Sequence, residues 1–371
     1  MNIEMRDMGF GEMVILTENN DKFIIDCGYS SQRYWIQENE FLPKDNGKTD
    51  LLITHFHEDH YKGLLQDNID ESKVYFEHCY LSPLYYQQRN KELISILTAI
   101  SPIYSRGHKE VTNLILLMKK ISKISKKIRF VKRGNVIKVF LKDFKVLWPE
   151  YGEANDEYQL INEFIDENND LFENSGKINY LLKRYIKALD KVLNSYNNER
   201  TNQEENGKAI RELFEVYEEL RSLELYVQPK MKRIYRKYLN RYIKNMNETS
   251  VVLKYNNKAL FLGDVTSKII DHLIDIGDIG EEFEVIKINH HGTPGNRNMY
   301  FCDRLPLAKK YLVSNSSHKM RKIDNKYLHK PQNVICTYHI DNYTDFEKCE
   351  YKRDYKSCTS KCLNHARKIK I

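Results

Sequence analysis

Residues 51–64 read LLITHFHEDHYKGL, and in the six positions from 55 to 60 they hold three histidines and two carboxylates, His55, His57, Glu58, Asp59 and His60. A buried strand accounts for Leu51 to Ile53 and for nothing after it. In His55-x-His57-x-Asp59-His60, four candidate ligands sit on one sharp turn and can point toward a common centre. Neutral imidazole together with carboxylate suits zinc, manganese or iron. A polar loop with scattered histidines is the plainer alternative, and three histidines so close together argue against it. These ligands do not easily complete two coordination spheres, so the chemistry asks for a second half-site. Leu262-Gly263-Asp264 and Asn289-His290-His291-Gly292, each at the end of an apolar run, provide one. An aspartate after a small residue, as Asp264 is after Gly263, can approach and bridge two ions; Asp59 and Asp264 are the candidate catalytic carboxylates.

Ligands of this kind need rigid supports. Met13–Leu16 and Phe23–Ile25 flank the polar Asn19-Asn20-Asp21 and predict a hairpin. Asp50–Thr54 predicts a strand that delivers the histidines at its C-terminal end, where a loop is held by the sheet yet open to substrate. From Leu84 to Lys127 the apolar period is helical, with Leu93, Ile94, Leu97 and Ile100 in one stripe and Leu114, Leu117, Ile121 and Ile124 in another. Strand character returns in RFVKRGNVIKVFLKDFKVLWP, with turns expected near Gly134 and near Lys142-Asp143. Beyond it, Leu181, Leu182, Tyr185, Ile186, Leu189 and Val192, then Ile210, Leu213, Phe214 and Tyr217, recur at helical spacing. They predict a helical insertion over 150–245 with a polar loop at 197–207. SVVLKYNNKALFLGD (250–264) predicts a second hairpin that turns at Asn256-Asn257. FEVIKINHHGTPGN (283–296) predicts a strand ending on the histidine pair, and KKYLVSNSS and NVICTYHI predict two more strands. The expected organisation is a catalytic body from 1–149 and 246–345, the insertion, and a basic Cys/His-containing tail over 346–371.

With 371 residues, 41% of them hydrophobic, the chain can bury a large core. No apolar run approaches the ~20 residues that span a bilayer. The start carries Glu4 and Asp7 without a small-residue cleavage site, so no signal peptide and no membrane role are expected. Seven cysteines without a framework spacing read as reduced thiols of a cytoplasmic protein. The net charge of +7 is unevenly spread: Glu150 to Glu173 holds nine acids and no base, while 119–133 and 230–244 hold no acid. Basic blocks can touch a polyanion, although a solvated helix face is the commoner cause. In the second block Arg233, Arg236, Lys237 and Arg241 are candidate nucleic-acid contacts, with Tyr235, Tyr238 and Tyr242 interleaved. Tyrosines packed inward and bases left in water are the bland alternative. Cys349, Cys358, Cys362 and His365 suggest an extra zinc knuckle, set against unpaired thiols in a frayed terminus. His78, His108, His272 and His329 read as ordinary histidines.

THFHEDH (54–60) resembles the HxHxDH signature of the metallo-β-lactamase superfamily. GFGEMVILTENNDKFIIDCG (9–28) is similar to the "GxGD-strand-turn-strand-DxG" opening of the soluble domain of the ComEC type, which serves DNA uptake. NETSVVLKYNNKALFLGD (247–264) resembles that subgroup's "NxxSxVL…FLxGD" stretch and VIKINHHGT (285–293) its "LKxxHHGS". The resemblance covers roughly residues 5–65, 128–149 and 247–340. It implies an α/β (α+β) fold, an αββα sandwich of two face-to-face sheets with helices outside and two divalent ions at one edge. On that pattern His55 and His57 bind one ion, Asp59 and His60 the second, Asp264 bridges them, and His290 or His291 completes the second site. The ions would lower the pKa of water toward ~7.

The superfamily's third-motif histidine has no equivalent before Asp264, where Asn247, Thr249 and Ser250 stand instead. Oxygen-rich completion of the first site shifts the expected metal from zinc toward manganese. Asn247, Ser250, Thr293, Ser314 and His318 are the candidate substrate contacts. The function expected is a metal-dependent phosphodiesterase, foremost a nuclease acting on DNA. Hydrolysis of a small cyclic nucleotide, thioester or lactam is the second reading. The third is a metal-bound effector or scaffold whose insertion binds a protein partner, against which the intact ligand set argues.

Overall fold

The computed structural model describes residues 1–6, 8, 11–28, 36, 38–42, 46–83, 88–102, 109–150, 163, 176–198, 201–223, 229–293, 299, 300, 302–314, 334–336 and 368–371. Two seven-stranded mixed sheets dominate it. The first runs in the order β14 (Lys368–Lys370), β1 (Asn2–Met5), β2 (Val14–Glu18), β3 (Asp21–Ile25), β4 (Thr49–Ile53), β5 (Phe76–Leu81) and β6 (Ser125–Phe130). The second runs β13 (Val334–Cys336), β12 (Leu307–Val313), β11 (Glu282–Lys287), β10 (Ala259–Phe261), β9 (Val252–Tyr255), β8 (Lys142–Trp148) and β7 (Val136–Val139). Each sheet is part antiparallel and part parallel; hairpins join β2 to β3, β7 to β8 and β9 to β10, and crossovers join the parallel neighbours.

Alternation along the strands explains the layers. On β4, Leu52 points into the space between the sheets, and Leu51 and Ile53 point to the opposite face. Leu16, Phe23 and Leu52 meet Phe144, Leu253, Phe261 and Val285 of the second sheet in the inner core. Helices α1 (Glu38–Phe41), α2 (Glu58–Tyr61), α3 (Gln88–Ile100) and α4 (Lys109–Ile124) belong to the first sheet's half of the chain. The apolar stripes of α3 and α4 cover the outer face of that sheet against Leu51, Ile53, Cys79 and Leu81. Helices α5 (Gly176–Asn197), α6 (Gln203–Arg221) and α7 (Pro229–Met246) follow, and α8 (Ser267–Asp275) covers the second sheet's outer face through Ile269, Ile270 and Leu273. The result is a helix–sheet–sheet–helix stack.

The helices between β8 and β9 are not set apart from this stack. Their buried residues share one apolar cluster with α3, α4 and the first sheet's outer face. Tyr185, Tyr196 and Tyr235 are wholly buried there, and Tyr196 packs its ring 5.6 Å from that of Phe130 on β6. The excursion also leaves and returns at one point: Trp148 is paired with Val252, and its indole N–H donates to the Glu248 carbonyl at 2.6 Å.

Three local details go beyond expectation. The β7–β8 turn falls at Phe140 and Leu141, both at positive φ (53° and 60°), while Lys142 and Asp143 begin β8. Positive φ at both central positions matches the strand twist, and the hairpin register enforces it on residues that rarely adopt it. VYFEHCYL contains β5, a strand buried between β4 and β6 whose apolar run carries no clear period. The chain's end, expected to fray, forms β14 on the edge of β1 and buries Ile369. No helix among the described residues is long and apolar enough to cross a membrane.

A shared core predicts shared unfolding. Tyr196→Ala should cost about 3 kcal/mol or more and move a single denaturation transition in urea, followed by circular dichroism. A second transition confined to helical signal would mean that α5–α7 fold as their own unit.

Candidate metal centre

The loops after β4, β10 and β11 and the turn before β2 meet at one edge of the stack. There the Val251 N–H donates to the Thr54 carbonyl at 2.9 Å and joins the two sheets. The metal loop is fastened through its backbone. Glu12 N–H donates to the Asp59 carbonyl at 2.9 Å, Cys27 N–H to that of His60 at 2.8 Å, and Gly28 N–H to that of Glu12 at 3.0 Å. Gly28 must be glycine, since a Cβ there would lie 1.6 Å from the Asp59 carbonyl oxygen.

Four buried residues, Glu12, His60, Asp264 and His291, bring donor atoms within 4.8 Å of one another, a group that could hold a metal ion. Asp59 adds a fifth donor, a third carboxylate, at their side. Donors held about 2.1 Å from one tetrahedral ion stand about 3.4 Å apart. His60 Nε2 lies 3.5 Å from Asp264 Oδ2 and 3.9 Å from Asp59 Oδ1, and His291 Nε2 lies 3.6 Å from Asp59 Oδ2. His60 Nε2 and Asp264 Oδ1 are buried and make no hydrogen bond, which is costly without a further partner. The residues present therefore fit a cation.

The outer contacts decide which atoms face it. Asp26, wholly buried, accepts from Thr54 N–H and Thr54 Oγ1–H, both at 2.7 Å, and lies 2.8 Å from His60 Nδ1. That fixes the His60 ring with Nε2 toward the group. His291 Nδ1 lies 3.2 Å from the Ser314 carbonyl, which does the same for His291. Asp264 N–H donates to Ser250 Oγ at 2.8 Å. Glu12 is on the Nδ1 side of His291, 3.8 Å away, and its Oε2 is ion-paired with the buried Lys287 ammonium. Asp59, facing Nε2, is the better ligand on this geometry, and Glu12 the supporting carboxylate.

Protonation follows burial and charge. Burial pushes the Glu12 carboxyl up to about 7 against the opposing pull of Lys287. At Asp264 burial is outweighed by His60, His291 and His55, which hold the carboxyl well below the usual range. Burial likewise opposes charge on His60, but Asp264 and Asp26 raise it well above an ordinary imidazole. His55 goes the other way: burial, then neighbouring His60, push it well down. Opposed shifts of this kind are common in functional clusters.

The remaining predicted residues divide clearly. His55 Nε2 lies 2.9 Å from His57 Nδ1 and 3.9 Å from Asp264 Oδ2, so this pair adjoins the group without entering it. His290 turns away: its ring stacks on Tyr300 at 3.7 Å and 12°, and Nδ1 lies 2.6 Å from Thr293 Oγ1. Ser250, Thr293 and Ser314 are buried and serve as braces. Asn247, also buried, donates through Nδ2 to the Tyr300 hydroxyl at 2.7 Å. Burial raises the Tyr300 phenol and the Asp264 charge adds to it, while Asn247 works against both. Tyr235, Tyr238 and Tyr242 are packed in the core, so they are closed to stacking on bases, while Arg233, Arg236 and Lys237 are exposed. The Arg241 side chain, His318, and Cys349, Cys358, Cys362 and His365 lie outside the described residues. Glu58, inside the motif, turns outward and accepts from Asn113 of α4 at 2.6 Å and from Lys62 at 3.0 Å.

Sequence reasoning assigned no role to Glu12, Asp26, Lys287 or Tyr300. Glu12 and Asp26 lay inside the quoted GFGE and IIDCG segments, and the signal available was an acid bordering an apolar run, before Met13–Leu16 for Glu12 and after Phe23–Ile25 for Asp26. A lysine inside the apolar FEVIKI run was the equivalent signal for Lys287. Comparison of the chain with family models, with curated proteins and with solved structures gives no match.

Asp26→Asn keeps the shape of the brace and loses its charge. Metal affinity, read by competition with a chromogenic chelator, should fall roughly 10–100-fold with the fold intact. Unchanged affinity would remove Asp26 from the centre.

Proposed function

We propose that this chain is a metal-dependent hydrolase of the metallo-β-lactamase type that cleaves phosphodiesters, with nucleic acid, and DNA foremost, as its substrate. The observation that carries the reading is the convergence of Asp59, His60, Asp264 and His291 from the ends of β4, β10 and β11 onto one buried point. The helix–sheet–sheet–helix stack and the motif order THFHEDH, FLGD, HHGT support the same αββα family reading.

A divalent ion held by these residues supplies Lewis acidity toward a phosphoryl oxygen and a lowered pKa for water, ~7 in favourable cases. The chain's own residues orient and exclude. Asp26 and the Ser314 carbonyl aim His60 and His291, Ser250 anchors the Asp264 backbone, and the buried inner core keeps bulk water from the back of the site. His55 and His57, with Asp264 shared, offer donors for a second ion. Among the described residues no third histidine completes that side, where Ser250 and Asn247 stand, which favours manganese over zinc.

Substrate preference rests on α7. Arg233, Arg236 and Lys237 project from the helix whose C-terminal end leads directly into Asn247. Exposed bases of this kind suit the phosphate backbone, and the burial of the interleaved tyrosines argues for contacts that do not read sequence.

Metal-stripped protein should regain hydrolysis of bis(p-nitrophenyl) phosphate and of plasmid DNA better with Mn²⁺ than with Zn²⁺. His57→Ala and Asp264→Asn should abolish both activities. An Asp264→Asn protein with wild-type rate and full metal content would overturn the reading. Separately, Arg233→Glu, Arg236→Glu and Lys237→Glu together should weaken DNA binding and flatten its salt dependence by roughly one unit of slope per lost phosphate contact, leaving the small diester unaffected. Equal DNA binding at all salt concentrations would shift the role of α7 to a protein partner.

A further inference from the structure

Gly207 lies inside helix α6, where glycine is the poorest helix former after proline. Its backbone does not call for it, since its φ is not positive. Nor does close packing: the nearest atom to a Cβ placed there would be Arg211 Nη1, at 3.4 Å, the movable end of a side chain. What this glycine does is leave space open. It lines a cavity of about 910 Å³ between α4 and α6 that shares no residue with the metal centre.

The sequence of α6 builds one wall of that cavity. Gly207, Ile210, Arg211 and Phe214 recur at three- and four-residue spacing, so they share one face over two turns, ~10 Å of helix. Ile210 is buried and Phe214 half-buried against the core, which makes the floor apolar. Helix α4 brings Lys119 to the same place, with Nζ 3.7 Å from the centroid of the Phe214 ring. A ring face holds an ammonium in position and leaves its charge uncancelled.

The charges around this floor divide into matched and unmatched. Lys123 pairs with Glu71, Arg184 Nη1 reaches both oxygens of Glu219 at 3.0 Å, and Arg221 lies 3.4 Å from Glu218. Among the described residues, Lys119 and Arg211 have no carboxylate within ion-pair reach. Glu215 stands one turn beyond Arg211 at a spacing that allows a pair, yet the guanidinium leans the other way, over Gly207. Two uncancelled cations thus border one apolar floor. A long polyanion running along α6 would meet Glu215, Glu218 and Glu219 farther down the same groove. The cavity volume is that of a single small-molecule site.

We propose that the groove between α4 and α6 binds a small amphiphilic anion. An aryl or acyl body lies along Ile210 and Phe214 in the space that Gly207 leaves. Its one carboxylate, sulfonate or phosphate is held by Arg211 and Lys119. No covalent step is involved, and the site stands independently of the phosphodiester reading.

Full-length protein titrated with anilinonaphthalene sulfonate, an aryl body with one sulfonate, should show a single saturable site by fluorescence. Phenylnaphthylamine, the same body without the charge, should bind more weakly by about tenfold or more, the worth of one charge-assisted hydrogen bond. Lys119→Gln combined with Arg211→Gln should bring the sulfonate down to the affinity of the neutral probe and leave the neutral probe unmoved. Gly207→Leu fills the space and favours the helix, so both probes should be lost while the thermal midpoint stays at or above that of the wild type. An unchanged sulfonate affinity in the double variant would overturn the site. So would equal binding of the two probes by wild-type protein, or full binding by Gly207→Leu. A Gly207→Leu protein with a lowered midpoint would mean that there is no room beside residue 207, which overturns it as well.

Discussion

Asp26 is wholly buried, and a carboxylate removed from water costs several kcal/mol unless its oxygens are matched. Thr54 matches it twice, through backbone and hydroxyl, and His60 supplies the third partner. That single set of contacts ties the end of β3 to the end of β4 and dictates which nitrogen of His60 faces the donor group. The choice propagates. With Nε2 turned inward, Asp264 has to arrive from the second sheet within reach of it, and Gly263 makes that approach possible at φ 50° with Ser250 Oγ directly beneath. The donors form one centre only because the two sheets are in register at this edge.

A second buried pair holds that register. Glu12 precedes β2 in the first sheet, Lys287 closes β11 in the second, and both are within 2% of full burial. Removing one member would strand the other, at a cost of about 3–5 kcal/mol. A lysine inside a buried strand conflicts with local preference. Such conflicts survive where function or register requires them. Here the ammonium also offsets part of the negative charge that Glu12, Asp26, Asp59 and Asp264 concentrate in one place.

The legible parts of this molecule were those where local pattern and chemistry coincide. Met13–Leu16 and Phe23–Ile25 around Asn19-Asn20-Asp21 announce the β2–β3 hairpin, and Asn19 does take positive φ. The helical stripes at Leu93–Ile100 and Leu114–Ile124 are α3 and α4. The ligand types of THFHEDH, FLGD and NHHG pointed to the strand ends that do converge. Illegible parts depend on partners far away in the chain. Glu12 and Lys287 are 275 residues apart, and neither has meaning without the other. Thr54 and Asp26 are 28 apart, and an aspartate before Cys27-Gly28 reads as a turn residue until the histidine it orients is known. His290 and His291 are chemically identical in sequence. The backbone of the turn separates them, sending one to the donors and the other to Tyr300. The β14 strand escaped because three residues of Lys-Ile-Lys carry no period, and the free edge of β1 supplies the reason for it to form.

How the donors are held bears on what an ion contributes. The loop from His57 to His60 carries its own turn, with His60 N–H donating to the His57 carbonyl at 3.0 Å, and is pinned to Glu12 and Cys27 by main-chain bonds. Its underside lies against Gly28 so closely that no side chain would fit. Helix α2 is fixed to α4 through Glu58 and Asn113. A loop fastened on three sides has little freedom left to lose, so an ion finds the donors instead of gathering them from an unfolded segment. This differs from small metal-dependent folds, whose binding energy is folding energy. Among the described residues the insertion adds no donor to this group, yet it borders it. Its last helix, α7, ends at Met246, and Asn247 follows at once, with Trp148 clamping the neighbouring Glu248 carbonyl. Since α7 packs against α3 and shares the first sheet's core, the position of the Asn247 amide is set by that core. A displacement of α7 would therefore be felt first at the Asn247 amide and at its bond to the Tyr300 hydroxyl.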